Sequence, residues 1–343
     1  MKILAIDTSC DETAVAVTEG RRIFSNELFS QIQLHAEYGG VMPQIARRAH
    51  EEHIDAVVEK ALKKARVTMQ DIDAVAVTYG PGLAIALGVG IDKAKELAHK
   101  HHKKLIALNH MEGHIYSCFA QNSQGNPSEH MVFPYIVLLA SGSHTELVIF
   151  SDHCTYTVIG ATVDDAVGEA LDKAARLIVD DMVYPGGPLI EKLAEKGDPN
   201  AYDFPRPMQH SKDLHFSYSG LKTSLRNVVE KMTAPERVAE MHNLAASFQM
   251  AAFDALLIKL EKACRHYGIW NVALGGGVSA NALLRKKVRA LVSKNRGAAH
   301  FPTSKKLYGD NAGMIGIAAH FHAEKGDFIE DFDALQRVAR PRL

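Results

Sequence analysis

The sequence predicts an α/β protein built on largely parallel sheets, and two observations predict it. Short apolar runs of strand length alternate with longer segments of helical period through the first 120 residues, the pattern of βαβ units. After a polar stretch at 121–130 (QNSQGNPSEH), the alternation restarts from a strand, so the chain reads as two units joined by a linker. At roughly 100–200 residues per domain, the length of 343 residues fits two or three domains or one large α/β unit.

The elements follow in order. Residues 2–6 (KILAI) and 13–18 (TAVAVT) are expected as strands joined by the polar turn Asp7 to Glu12, with a third strand near 23–30. Over 44–64, Ile45, Ala49, Ile54, Val57, Val58 and Ala61 recur on one face, which predicts a helix. Asp73 to Tyr79 is a short buried strand stopped by Gly80-Pro81-Gly82. A helix of small residues at 83–99, a strand at 105–108 and a helix carrying HMEGH come next. Beyond the linker, strands are expected at 135–140, 145–150 and near 155–160, then a helix at 164–178. Ser9-x-x-x-Thr13 and Ser141-x-x-x-Thr145 each sit between two apolar strands, the echo a duplicated unit leaves. Residues 198–220 carry three prolines and no period, and a loop of that length in a compact domain is usually functional. Helices at 235–266, a strand at 269–274 and a helix at 279–294 precede a basic tail, RVARPRL.

Composition excludes several classes. With 47% hydrophobic and 23% charged residues the chain can bury a sizeable core, unlike a disordered protein. Lys plus Arg number 39 against 40 Asp plus Glu, so nucleic acid or an acidic membrane would have to meet a local basic patch. Cys10, Cys118, Cys154 and Cys264 form no CxxC pair and are expected as reduced thiols, which excludes a disulfide scaffold and a Cys-rich zinc module. The first apolar run meets Asp7 and Asp11 too early for a signal peptide. The longest apolar stretch, 83–91, is far short of the ~20 residues that span a bilayer. The expectation is a cytoplasmic protein with no membrane partner.

The sharpest local signal is His110-Met111-Glu112-Gly113-His114. Two histidines at i and i+4 project from one helix face and suit one metal ion; the competing reading is a pair of surface histidines. A zincin protease requires HExxH, and here Glu112 is the third residue, on another side of the helix. Asp310, before the helix MIGIAAH, is the best third ligand, or else only that helix's N-cap. Gly275-Gly276-Gly277 follows a strand and opens a helix, and its N–H groups suit an anion; it matches neither GxGxxG nor GxxxxGK[ST]. The turn Leu139 to His144 and the loop Tyr184 to Pro188 are further candidate cradles. Asp164, Asp165, Glu169 and Asp172 fall on one expected helix, with Asp165, Glu169 and Asp172 on one face, and Asp172 is a candidate acceptor for ribose hydroxyls.

Taken together these residues resemble the TsaD family. The matching stretches run nearly end to end: AIDTSCDETAVAV, LHAEYGGVMPQIARRAH, YGPGLAIALGVG, NHMEGH, ASGSHTEL, DDAVGEALDKAARL, YPGGP, FPRPM, FSYSGLKTS, GGGVSANALLR and GDNAGMIG. The chain departs from the family's frequent SGGHT at Ser143 and from its TDNGAM at 309–314. The resemblance implies an actin/Hsp70-like (ASKHA) fold of two RNase H-like lobes around a central cleft, one of residues 1–120 plus about 315–343, the other of 131–314 with a helical insertion. It implies transfer of a threonylcarbamoyl group from threonylcarbamoyl-AMP to N6 of adenine 37 in tRNAs reading ANN codons. By motif, His110, His114 and Asp310 would bind one divalent metal ion per chain, Fe²⁺ in first place and Zn²⁺ as the alternative. Leu139, Ala140, Ser141, Gly142 and Ser143 would surround the substrate's phosphate and carbamoyl groups, and Asp172, Gly187 and Asn281 would hold the adenylate. Asp11 and Glu12 are candidates for removing the proton from N6. Expected partners are the tRNA anticodon loop, a TsaB-like paralogue and a TsaE-like ATPase. For tRNA phosphates, Arg47-Arg48 is favoured over Lys103-Lys104, Lys286-Lys287 and the tail arginines Arg337, Arg340 and Arg342. The alternatives are a sugar or acetate kinase of the same superfamily and a non-catalytic TsaB-like paralogue, which lacks the His pair.

Overall fold

The computed structural model describes residues 1–341 and 343; Arg342 lies outside the described residues. Sheet one contains β1 (Lys2–Asp7), β2 (Glu12–Glu19), β3 (Arg22–Ser30), β4 (Ala74–Gly80) and β5 (Lys104–Asn109), in the order β3-β2-β1-β4-β5. Sheet two contains β6 (Tyr135–Ala140), β7 (Thr145–Asp152), β8 (Thr155–Ala161), β9 (Asn271–Gly275) and β10 (Ala298–His300), in the order β8-β7-β6-β9-β10. The second sheet repeats the first strand for strand. In each, three strands form an antiparallel meander and two more add in parallel beside the first. The sheets are therefore mixed rather than largely parallel. Turns of a few residues, such as 8–11 and 141–144, can join only antiparallel neighbours; a parallel partner needs a helical crossover. The Ser9/Thr13 and Ser141/Thr145 echo falls on equivalent turns.

The helices are α1 (Ile32–His35), α2 (Pro43–Ala65), α3 (Ala84–His101), α4 (His110–Ser117), α5 (Val167–Val179), α6 (Gly187–Ala194), α7 (Ser219–Val229), α8 (Ala234–Tyr267), α9 (Ala282–Lys294) and α10 (Ala312–Glu324). They make five layers with the sheets. Helices α2 and α3 cover the outer face of sheet one, α4 and α10 lie between the sheets, and α5 to α9 cover the outer face of sheet two. Strand alternation sorts the side chains accordingly. In β1, Leu4 and Ile6 pack outward while Ile3 and Ala5 face the central layer; in β4, Val75 and Val77 pack outward while Ala74 and Ala76 face inward. Alanine on the inner face lets α10 sit close against sheet one. Along β6, Ile136 and Leu138 go to the outer core and Tyr135, Val137 and Leu139 to the central one.

Three local expectations change. The helix read at 164–178 begins at Val167, because Asp164 turns away to accept the Tyr218 N–H (2.7 Å) and the Ser217 and Ser219 hydroxyls (2.5 and 2.7 Å). Asp165 also precedes the helix and pairs with Lys173 and Lys222, so the acidic stripe is broken. The helix read at 279–294 starts at Ala282, capped by Asn281. Of the long irregular segment 198–220, only Ser219 and Gly220 are helical, as the start of α7, and part of the rest is pinned to α8 by the buried Lys259, which donates to Ser211 Oγ (2.5 Å) and the Asp213 carbonyl (2.8 Å).

Candidate active site

Helix α4 follows β5, and α10 follows β10 at the equivalent point of the second unit; the two pack on each other in the central layer. Asn109 caps α4 by accepting the Met111 N–H (2.9 Å), and every residue of the helix is buried. His110 and His114 project from one side, with ring centroids 4.7 Å apart. Their Nε2 atoms each lie 3.3 Å from Asp310 Oδ1. That matches the ~3.4 Å edge between ligand atoms of a tetrahedral site with bonds of about 2.1 Å. The cap of α10 is Asn311, whose Oδ1 accepts the Met314 N–H (3.0 Å), so the Asp310 carboxylate is left for the histidines. The three residues form a group able to hold a metal ion.

Asp7, at the end of β1, adds a second carboxylate, this one fully buried: its Oδ2 is 3.4 Å from His110 Nδ1, and its Oδ1 accepts the Ser9 N–H (3.2 Å). Burial opposes charge on His110, but Asp310 and Asp7 outweigh it and push its pKa well up. On His114 burial wins and the pKa falls. Burial also opposes the Asp310 carboxylate, yet the two histidines hold it far below the usual range. A buried carboxylate, Asp7, and a half-buried one, Asp310, facing two imidazoles, with His114 Nδ1 and Asp7 Oδ2 lacking a hydrogen-bond partner, make a donor set that fits a divalent cation. Glu112 points elsewhere. Its Oε2 is 2.8 Å from His322 Nε2 on α10, and Asp327 holds the other ring nitrogen at 3.1 Å. No general base stands beside the His pair at a protease's position, which removes the zincin reading.

The Gly-rich turns close around this helix. A Cβ on Gly275 would lie 2.4 Å from the His114 carbonyl oxygen, and Gly276 has φ +89° with Ala140 O 2.5 Å from the Cβ position, so only glycine brings β9 and β6 this near α4. A Cβ on Gly168 would meet Ser141 O at 2.5 Å. The side chains of Leu139 and Ala140 are core residues, so these two offer only backbone. Ser141 N–H bonds the His144 carbonyl (2.9 Å) and Ser141 O accepts the Gly168 N–H (3.1 Å). Among the described residues, the N–H groups of Gly142 and Ser143 have no backbone acceptor, and both residues are exposed. Ser143 is not at positive φ, so its side chain brings no strain.

Asp172 Oδ1 accepts the N–H groups of Gly186 (2.7 Å) and Gly187 (3.1 Å), and burial raises its pKa despite them. It braces the loop that starts α6. A Cβ on Gly186 would strike Asp172 and Ala175, while Gly187 faces open space. Asn281 accepts the Leu284 N–H (3.1 Å) and donates to Gln249 (2.8 Å), so both its polar atoms are engaged within the protein. Asp11 is buried and takes the Tyr184 hydroxyl (3.3 Å) from the opposite unit. Burial, then Asp11 and Asp310, push the Glu12 carboxyl well up.

A TsaD profile, described as tRNA N6-adenosine threonylcarbamoyltransferase, matches residues 22–317. The chain belongs to the TsaD family. It is a tRNA-modifying transferase, which sets aside the kinase alternative. It is 44% identical over 328 residues to the tRNA N6-adenosine threonylcarbamoyltransferase of Clostridium novyi (strain NT), covering 95% of this chain and 94% of that one. It is 45% identical over 325 residues to the enzyme of the same name from Staphylococcus haemolyticus (strain JCSC1435), covering 94% and 92%. In fold it is similar to T. kodakarensis HypF, with TM-score 0.64 and 16% identity over 94% of this chain and 48% of that one. The architecture is actin-like, as the family resemblance implied. Among the described residues no helix is long and apolar enough to cross a membrane.

Three polar groups near this TsaD site were missed in the sequence. Asp7 was read only as a turn residue, although a carboxylate ending the first strand of each βαβ unit is placed at the sheet's C-terminal edge. Tyr184 was read only as the start of a candidate cradle loop, and nothing local announced its bond to Asp11, 173 residues away. His144 was read as part of a turn; burial, then His110 and His114, push its pKa down to about 4, so it is neutral beside them.

Proposed function

We propose that this transferase moves a threonylcarbamoyl group from threonylcarbamoyl-AMP to N6 of adenine 37 in tRNAs reading ANN codons, with release of AMP. The observation that carries the reading is the His110–His114–Asp310 triangle, in a protein whose 141–144 turn leaves the Gly142 and Ser143 N–H groups without a backbone acceptor among the described residues. The N6 amine is a weak nucleophile because its lone pair is delocalised into the ring, so the mixed anhydride must be activated. His110, His114 and Asp310 would hold one divalent ion, Fe²⁺ or alternatively Zn²⁺. Such an ion supplies Lewis acidity towards the phosphate or carbonyl oxygen. The Gly142 and Ser143 N–H groups stabilise the negative oxygen that develops on the carbamoyl carbon. Gly187 and Asn281 border the adenylate, and Asp172 acts by holding the Gly186–Gly187 backbone. Glu12, with a raised pKa, takes the proton that leaves N6, and Asp11 positions it.

In this reading the lobes are residues 1–120 with about 315–343, and 131–314. The partners are the tRNA anticodon loop, a TsaB-like paralogue and a TsaE-like ATPase, all in the cytoplasm. The test is mass analysis of tRNA incubated with threonine, bicarbonate, ATP and the partner proteins. Threonylcarbamoyladenosine at position 37 is expected, and it is lost in His114→Ala. Unmodified tRNA, or modification that survives His114→Ala undiminished, would overturn the assignment.

A further inference from the structure

The chain as a whole is neutral, but its charge is not evenly spread. Residues 282–309 contain eight Lys or Arg and no Asp or Glu, so the rest of the chain carries the acid excess that offsets them. This run comprises α9, β10 and the segment that ends at the metal-type residue Asp310. The fold gathers it into one face. Arg289 lies 4.5 Å from the Phe301 ring centroid and Arg285 lies 5.0 Å from that of Tyr308, which is two residues from Asp310. Two of the cations are committed to the fold. Lys287 pairs with Asp254 (2.8 Å), and Arg285 donates to the carbonyls of Ser279 and Ala280. Lys286, Arg289, Lys305 and Lys306 are exposed, and among the described residues none has a carboxylate partner. The acid at this end of α9, Glu191, accepts the Ala282 N–H (2.7 Å).

The basic pair favoured from sequence is more hemmed in by acids. Arg47 is bound to Glu51 (2.8 Å) and lines a groove between α2 and α3 together with Asp55, Asp92 and Glu96 and the cations Lys93 and Arg337, while Arg48 is exposed beside it. Lys93 is itself held by Asp55 and Glu96, so acids offset much of the positive charge there.

We infer that the face formed by α9 and residues 303–308 holds the phosphate backbone of the tRNA, leading it to the cleft beside Asp310. This rests on the tRNA-modifying function proposed above and adds where the polyanion lies. A helix of 13 residues is about 20 Å long, enough to follow several consecutive phosphates, and a row of cations without base-reading partners attracts any such backbone alike. Each phosphate contact releases condensed counterion and contributes about 0.7–0.9 to the slope of log affinity against log salt.

The experiment titrates tRNA against the purified protein over a salt series, for the unaltered chain, for Lys286→Gln/Arg289→Gln/Lys305→Gln/Lys306→Gln, and for Arg47→Gln/Arg48→Gln. The quadruple variant is expected to bind about tenfold or more weakly at low salt, with the slope reduced by about 3. The loss should be equal for tRNAs with and without A37. The Arg47/Arg48 variant should match the unaltered chain. Metal content and affinity for a non-hydrolysable adenylate check that the quadruple variant is folded; the double variant Lys305→Gln/Lys306→Gln, with half the slope change, replaces it if it is not. An unchanged slope in a folded variant, or a loss confined to A37-bearing tRNAs, overturns the footprint while leaving the function standing. Failure of the unaltered chain to bind tRNA overturns both.

Discussion

Within α4, residues two apart answer to different neighbours. His110 and His114 meet Asp310 and Asp7, whereas Glu112 meets His322 on α10. Asp7 Oδ2 lies 3.4 Å from His110 Nδ1, the ring nitrogen opposite the one that faces Asp310. Asp7→Asn keeps the size and removes the charge, so metal affinity should fall about 10–100-fold, as it does when the outer partner of a metal-bound histidine is lost. Metal content after dialysis against a graded chelator measures this, and unaltered retention would exclude Asp7 from the site. The Glu112–His322 pair makes a separate prediction. Burial opposes charge on His322, but its hydrogen bonds with Cys154 and Glu112 push its pKa up to about 10. A raised folded-state pKa means that the fold favours the imidazolium. Its stabilisation is thus fully present below the unfolded value of about 6.5 and is lost as pH rises through about 10. His322→Gln should lower the urea midpoint by a constant amount below pH 6.5 and by a shrinking amount from there to pH 10. A difference that grows with pH would contradict the ion pair.

At the scale of elements, the cleft is made by strands ending where helices begin, at distances that leave no room for side chains. Gly275 carries β9 past the His114 carbonyl, with 2.4 Å available to a Cβ that would meet backbone, not a movable side chain. Gly275→Ala should cost about 1–3 kcal/mol, as overpacking does, and displace the C-terminal half of α4. Metal content should therefore fall along with the denaturation midpoint; a stable variant with full metal would show that the turn tolerates the methyl group. The α5–α6 junction depends on Asp172, which holds two backbone N–H groups. Asp172→Ala leaves them without their acceptor and should weaken adenylate binding by about 1–3 kcal/mol. Calorimetric titration of a non-hydrolysable adenylate reads this, and unchanged affinity would dissociate the Gly186–Gly187 loop from the nucleotide.

For the whole molecule, the central layer decides how the two units behave. Side chains of β1, β4, β6 and β9 all pack in one core with α4 and α10, so neither sheet has a complete inner face without the other. Helix α10 comes from the far end of the chain, yet it lies on β1 and β2. Thermal unfolding should therefore be a single cooperative transition in calorimetry, not two. A ligand that sits between the units should raise it as one, by about 2.7 kcal/mol at a concentration 100 times its dissociation constant. Two separated transitions, with the adenylate moving only one, would show that the lobes fold independently.

The elements and the ligand pair were legible in the sequence because they rest on local period. A spacing of four places two histidines on one helix face whatever that helix packs against, and the strands read at 135–140 and 2–6 announce themselves by the short apolar runs YIVLLA and ILAI. The duplicated topology showed only as a faint Ser/Thr echo, since strand order and direction leave no mark on composition. What the tertiary structure decided is everything that depends on residues far apart in the chain. Asp310 acquires the histidines from 200 residues away because α4 and α10, equivalent helices of two units, meet in one layer. Asp164 and Asp165 leave their expected helix because hydrogen-bond donors at 217–219 and the Lys222 cation compete for them. Arg47 and the α9 residues Lys286 and Arg289 look alike as letters, but Arg47 is paired with Glu51, whereas the other two are exposed without a carboxylate partner among the described residues. Charge acts through space, and only the fold sets which charges are near.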